Sequence, residues 1–206
     1  MTISPVSSAY AAADTVTMPT HQAGDLIIVF ASRMASTIPS LVSGYTSLAT
    51  GNRNVGTGNW GARIAYKIAA TSSETVGTWT NAQAVIVAVY RGVAATGAIA
   101  QNAGASNTTI TYPALTLQAT NSQSWIIRFV HGGGSASSVS DLTTNLPTGY
   151  VQRNGSASDA LILDSNGPVS VNPTADTQVT STANYWFSAT LEITAADDAS
   201  KFFALF

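Results

Sequence analysis

Residues 24–32 read GDLIIVFAS, and residues 124–131 read SWIIRFVH. The core of the first stretch, LIIVFA at 26–31, is apolar without interruption, as is AVIVAVY at 84–90. A membrane span needs about 20 such residues, so both runs read as strands covered on both faces. The two opening stretches also match each other: Ile27 aligns with Ile126, an offset of 99. That match implies that the chain is built twice over.

Other segments extend the duplication. Gly44-Tyr45 aligns with Gly149-Tyr150 at an offset of 105, IAYK at 64 with LILD at 161 at 97, and IVAVYR at 86 with FSATLE at 187 at 101. Loop insertions account for such drift. RIAYKI (63–68) alternates, with Ile64, Tyr66 and Ile68 on one side. NYWFSATLEI (184–193) alternates too, with Tyr185, Phe187, Ala189, Leu191 and Ile193 together. TITYPALTLQ (109–118) reads as a strand broken or bent at Pro113. Clusters at 50–59, 104–107, 132–138 and 164–168 carry turn composition. Thr194 is placed to cap a short helix in the tail. The fold expected is all-β: one antiparallel β-sandwich over 1–206, jelly-roll-like, from two similar halves of about four strands joined through 95–120. Residues 1–20 form an N-terminal arm or edge strand, and 195–206 an apolar C-terminal tail.

Only 9% of the 206 residues are charged, against roughly 25% in ordinary globular domains. The net charge is −2, and the eight Lys and Arg are scattered. A nucleic-acid partner calls for a basic stripe, and none is present. The start, MTISPVSSAYAAAD, has neither the basic nor the apolar region of a secretory leader, and no membrane association is expected. There is no cysteine, hence no disulfide framework or thiolate metal site. A surface held by Ser, Thr, Asn and Gly repels its copies weakly.

The ordered set TVTMP, HQAGDLIIVFAS, PSLVSGYTSLA, ARIAYKIAATSSE and GTWTNAQAVIVAVYRGV resembles a group of small β-sandwich virion structural proteins of tailed bacteriophages. The shared pattern is a GDLL-type strand, a P-x-GW turn (GY here, Gly44-Tyr45), a strand ending in K-x-A and a closing Y-R-G-V. It covers residues 15–93 directly, and the second half only through the duplication. The resemblance implies a capsid or tail component, located in the virion after synthesis in the host cytoplasm. It implies other virion proteins as partners, homo-oligomeric assembly, no cofactor and no catalytic residue.

His131-Gly132-Gly133-Gly134 spells the oxyanion loop of esterases. That fold also needs a G-x-S-x-G elbow and a later His, and neither occurs. His131 is expected at a sandwich edge. His21 and His131 lie in no metal-ligand spacing. Asp164-Ser165-Asn166-Gly167 has the opening of a calcium loop without its closing Glu, so it reads as a plain Asx turn, with calcium as the alternative. Asp25 and Asp159 precede strands, Glu192 sits on an outward face, and no acid pair stands out.

Trp60 and Trp79 lie among Gly, Thr and Asn. With Arg63 beside them they form the candidate carbohydrate-binding set, each Trp having core packing as its alternative. Phe202, Phe203, Leu205 and Phe206 are the candidate assembly contacts, docking in cis or in trans. The expected function is therefore a non-enzymatic virion component, foremost a capsid decoration protein. The alternative is a tail or fibre module that binds host carbohydrate.

Overall fold

The computed structural model describes residues 2–56, 58–119, 123–133 and 141–195. These form ten strands and no helix: β1 (Ser4–Ala11), β2 (Leu26–Arg33), β3 (Thr46–Arg53), β4 (Trp60–Ile68), β5 (Ala84–Arg91), β6 (Val93–Tyr112), β7 (Ser124–Gly132), β8 (Val151–Gly155), β9 (Ala160–Asp164) and β10 (Asp176–Ala195). One sheet has the order β1-β5-β2-β4-β3 and the other β6-β10-β7-β9-β8, all antiparallel. Adding five to each strand number of the first sheet gives the second. The duplication is thus a repeat of five strands per half, one more than the sequence pattern implied.

The connectivity refines the jelly-roll expectation. Each half makes its own sheet, and among the described strands the chain changes sheet once, at Gly92 between β5 and β6. Gly92 has φ +78°, and a Cβ there would run into the Thr2 carbonyl. The segment 95–120 is accordingly not a linker; most of it is β6.

The Gly-Tyr turn recurs with the same geometry. Gly44 and Gly149 have φ +84° and +83°. The next N–H, of Tyr45 or Tyr150, donates back to Val42 or Pro147 at 3.2 and 3.1 Å. Strand register corrects two alignments. Phe30 pairs with Ile86 and Phe129 with Ala189, so β5 and β10 match at an offset of 103 (189 − 86), not 101. Ile64 pairs with Phe30 and Ile162 with Phe129, so β4 and β9 match at an offset of 98 (162 − 64), not 97. One residue matters here, because it exchanges the two faces of a strand.

The inner faces form one core from both sheets: Leu26, Ile28 and Phe30 of β2, Ile86, Ala88 and Tyr90 of β5, Ile127 and Phe129 of β7, and Phe187, Ala189, Leu191 and Ile193 of β10. The outer faces are covered as well. Loops carrying Val16, Met18, Val42, Val76 and Trp79 pack over Ile27, Val29, Val85 and Val87. Leu115, Leu117, Leu142 and Tyr150 do the same for the second sheet. Double coverage is why β2 and β5 are apolar throughout, although antiparallel strands commonly alternate.

Other local expectations meet tertiary constraints. Residues 104–107 are strand rather than turn, since a Cβ at Gly104 would overlap the Trp186 indole. The cluster at 50–59 turns only after Arg53, where β3 ends. β6 ends at Tyr112, just before Pro113, and β9 ends at Asp164 as the turn begins. Thr194 pairs with Ser124 and Ala95 as a strand residue, not a helix cap. β1 is an edge strand. The tail from 196 onward, with Phe202, Phe203, Leu205 and Phe206, lies outside the described residues.

Candidate functional site

The repeat gives the sandwich two equivalent open sides, β1 against β8 and β6 against β3. They are finished differently. On the first, Ser8 Oγ donates to the Arg153 carbonyl at 2.9 Å, Asn154 Nδ2 donates to Ser8 Oγ at 3.1 Å, and Tyr10 donates to Asp159 at 3.4 Å. Behind them Arg153 grips Asp164 through Nε and Nη2 at 2.5 and 2.8 Å, and Tyr90 donates to the same carboxylate at 3.0 Å. A hollow of about 230 Å³ remains.

On the second side, no hydrogen bond joins described residues of β3 to those of β6. Two hollows of about 350 and 310 Å³ lie there end to end, sharing Gln101. Register explains the contrast. β3 and β8 each carry a bulge, at Leu48 and at Arg153, so a leucine stands where the closed side has its clamping arginine. Ile99 pairs with Leu191 as Ser8 pairs with Ala88, and Gln101 pairs with Ala189 as Tyr10 pairs with Ile86. Apolar or flexible residues thus replace the groups that stitch the other side.

The slot between β3 and β6 is neutral. Ser47, Thr50, Asn52, Gln101 and Asn102 supply hydroxyls and amides, and among the described residues no ionisable group lines either hollow. Its floor is aromatic: Trp60 and Phe187 lie 5.4 Å apart beneath Gly51, where a Cβ would approach Phe187 to 2.9 Å. The slot offers hydrogen-bonding edges to an uncharged, extended partner.

β6 itself is the feature that isolated strand patterns do not reveal. Its 20 residues contain no charge and no proline. The other edges are each interrupted: β1 by Pro5 and a register shift, β3 by its bulge and Arg53, β8 by its bulge, Arg153 and a length of five residues. Proteins protect edges with such devices. β6 carries bulges too, but its register against β10 runs unbroken from 99 to 104. No backbone group of a loop or turn among the described residues bonds that outer edge; within the strand, Asn102 Oδ1 accepts from the Ala103 N–H at 2.9 Å.

The residues singled out from sequence fall elsewhere. Trp60 is 3% exposed and Trp79 fully buried, so neither offers a face for stacking a sugar. Trp60 belongs to the inner core, whereas Trp79 packs edge-on against Tyr45 at 5.2 Å over the outer face of the first sheet. Arg63 donates from Nε to the Pro39 carbonyl at 2.7 Å and from Nη1 to Ser47 Oγ at 2.8 Å, fixing a loop to β3. The three do not converge.

His131, next to last in the central strand β7, is fully buried, its Nδ1 3.0 Å from the Asp159 carbonyl. It is not a sandwich-edge residue. Gly134 of the HGGG stretch lies outside the described residues.

The buried acids were legible only as isolated carboxylates. Asp164 accepts from the Asn166 N–H at 2.8 Å, an Asx turn, and Arg153 occupies both its oxygens. That arrangement corrects the calcium alternative, since the guanidinium already neutralises the group. Asp25 takes Arg91 through two bonds of 2.8 Å and the Gln22 N–H at 2.9 Å. The Arg91 pair holds this carboxyl below the usual carboxylate value, against the opposing effect of burial.

Glu192 is not on a solvated face: it is fully buried under residues 118–119. It accepts from Ser124 Oγ at 2.5 Å and from the N–H groups of Gln118, Ala119 and Ala98 at 2.9, 3.0 and 3.3 Å. Burial pushes its carboxyl up, and these four donors together outweigh that and leave it lowered.

Comparison with known proteins gives no family model, no curated protein and no solved structure that matches this chain.

Proposed function

We propose that the chain is a non-enzymatic structural component of a tailed-phage virion, foremost a capsid decoration protein held on the particle lattice. The observation that supports this most is the neutral open edge of β6 beside the equally neutral slot. A lattice protein needs only modest affinity at each contact, because the contact repeats, and strand edges supply main-chain hydrogen bonds for it. The sequence resemblance and the 9% charged fraction point the same way. The buried acids Asp25, Asp164 and Glu192 each tie chain segments together, which is structural work.

The reading is tested by quantitative mass spectrometry of purified particles of the phage that encodes the chain. Hundreds of copies per particle support a place on the capsid or along the tail. A handful moves the chain to the tail tip or fibres, and absence from the particle overturns the proposal. The carbohydrate alternative loses its stacking platform with both tryptophans beneath the surface.

A further inference from the structure

We infer that the outer edge of β6 pairs with the same edge of a second copy, antiparallel across a two-fold axis at Gln101. This rests on the reading of the chain as a lattice component and gives a contact to the homo-oligomeric assembly that the sequence resemblance implies. It is tested on the isolated chain, so that its failure is distinguishable from absence of the chain from a particle.

Three observations carry it. First, among the described residues the two sheets have four edges; three carry proline, arginine or a shortened strand, and only β6 is free of charge and proline over 20 residues. An unprotected edge of that kind is a template for another strand. Second, the equivalent side of the molecule is stitched by Ser8, Tyr10 and Asn154, whereas the β6 side has Ile99 and Gln101 at the matching positions and is left open. The repeat therefore shows how this side is closed when it is closed internally, and β6 lacks those groups.

Third, the edge is complementary to itself. With Gln101 opposite Gln101 of the second copy, Ala100 faces Asn102 and Ile99 faces Ala103, all within the unbroken run 99–104. No like charges meet, and none of these side chains is too large for a cross-strand pair. This register also keeps both inner faces on the same side, so each sandwich continues the other's sheet. The two Gln101 amides then hydrogen-bond across the axis, at the mouths of the two slots. An isologous contact of this kind closes as a dimer.

The test is sedimentation equilibrium of the full chain together with Gln101→Lys and Gln101→Glu, each confirmed folded by its thermal transition. Gln101 is exposed and makes no side-chain hydrogen bond, so both variants are expected to fold. The wild type is expected to dimerise. Each variant alone places like charges opposite each other and associates roughly tenfold more weakly. An equimolar mixture of the two regains association, because Lys then faces Glu. Amide exchange should slow with rising protein concentration at residues 99–104 and not in β1, β3 or β8. A monomeric wild type, a dimer indifferent to both charges, or protection that rises at another edge each overturns the inference.

Discussion

Phe30 and Phe129 are the same residue of the two halves, and they meet edge to face with ring centroids 5.5 Å apart and planes at 65°. Each sits in the middle strand of its sheet: Phe30 is flanked by Ile64 and Ile86, Phe129 by Ile162 and Ala189. Their contact lies on the approximate two-fold axis that relates the halves. Phe187 extends the cluster, 6.3 Å from Phe30.

Phe30→Ala and Phe129→Ala should each cost about 3–5 kcal/mol of stability, the usual range for removing a buried phenyl ring. Because the rings touch, the double variant should cost less than the two losses combined, by about 0.5–1.5 kcal/mol. Denaturant unfolding of the four proteins measures this. Strict additivity would mean that the edge-to-face contact contributes nothing of its own.

Gly104→Ala should destabilise by about 1–3 kcal/mol through overpacking against Trp186. Ala105→Ser, one residue along the same exposed strand, should change stability by less than about 0.5 kcal/mol. Thermal melts of the two variants separate steric conflict at one site from a general intolerance of the strand.

Stability should fall in acid. Asp25 and Glu192 are both held below their ordinary values of 3.8 and 4.5. Their contribution is therefore fully present above those values and is lost as the pH drops through the lowered ones. Denaturant midpoints measured from pH 7 down to pH 2 should hold at the upper end as far as these groups are concerned and decline below about pH 4. Glu192→Gln should be less stable at pH 7 by about 1–3 kcal/mol, since one acceptor oxygen cannot serve all four donors. It should also decline less in acid. An unchanged acid slope in that variant would show that Glu192 does not contribute.

The Asp164 clamp can be dissected. Arg153→Met strands a fully buried carboxylate and should cost about 3–5 kcal/mol. Tyr90→Phe removes one of several donors and should cost about 1 kcal/mol. Replacing Asp164 by Asn in the Arg153→Met background should recover part of the loss, because the neutral amide costs less to bury. Chemical unfolding of the three variants gives the ranking.

The architecture was readable where one residue type dominates a strand. GDLIIVFAS and SWIIRFVH carry the repeat in their own letters, and the Gly-Tyr turns need left-handed glycine in both halves. Position along the sheet was harder. The match between β4 and β9 slipped by one residue because Ala, Ile and Leu are interchangeable in a strand buried on both faces. Residues 104–107 mislead for a related reason: Gly and Asn favour turns locally, and here the glycine makes room for Trp186. Glu192 alternates with core residues and so reads as solvated. Only the chain returning over it at 118–119 supplies the donors that let it be buried. The slot was not legible at all, since it arises from the difference between Leu48 and Arg153, two bulge residues in strands that read alike.

Gly92 has a consequence for synthesis. Since the described strands cross between sheets only there, the first five strands leave the ribosome as a finished set. Every ladder of the first sheet can close while the second is still being made. At about 5–20 residues per second, the remaining half follows only after several seconds. During that time the face bearing Phe30 has no lid, and another nascent first half offers it the same apolar surface that Phe129 will. The arrangement is that of a two-fold homodimer whose subunits have been joined into one chain, and the tether at Gly92 lets the intended partner arrive first.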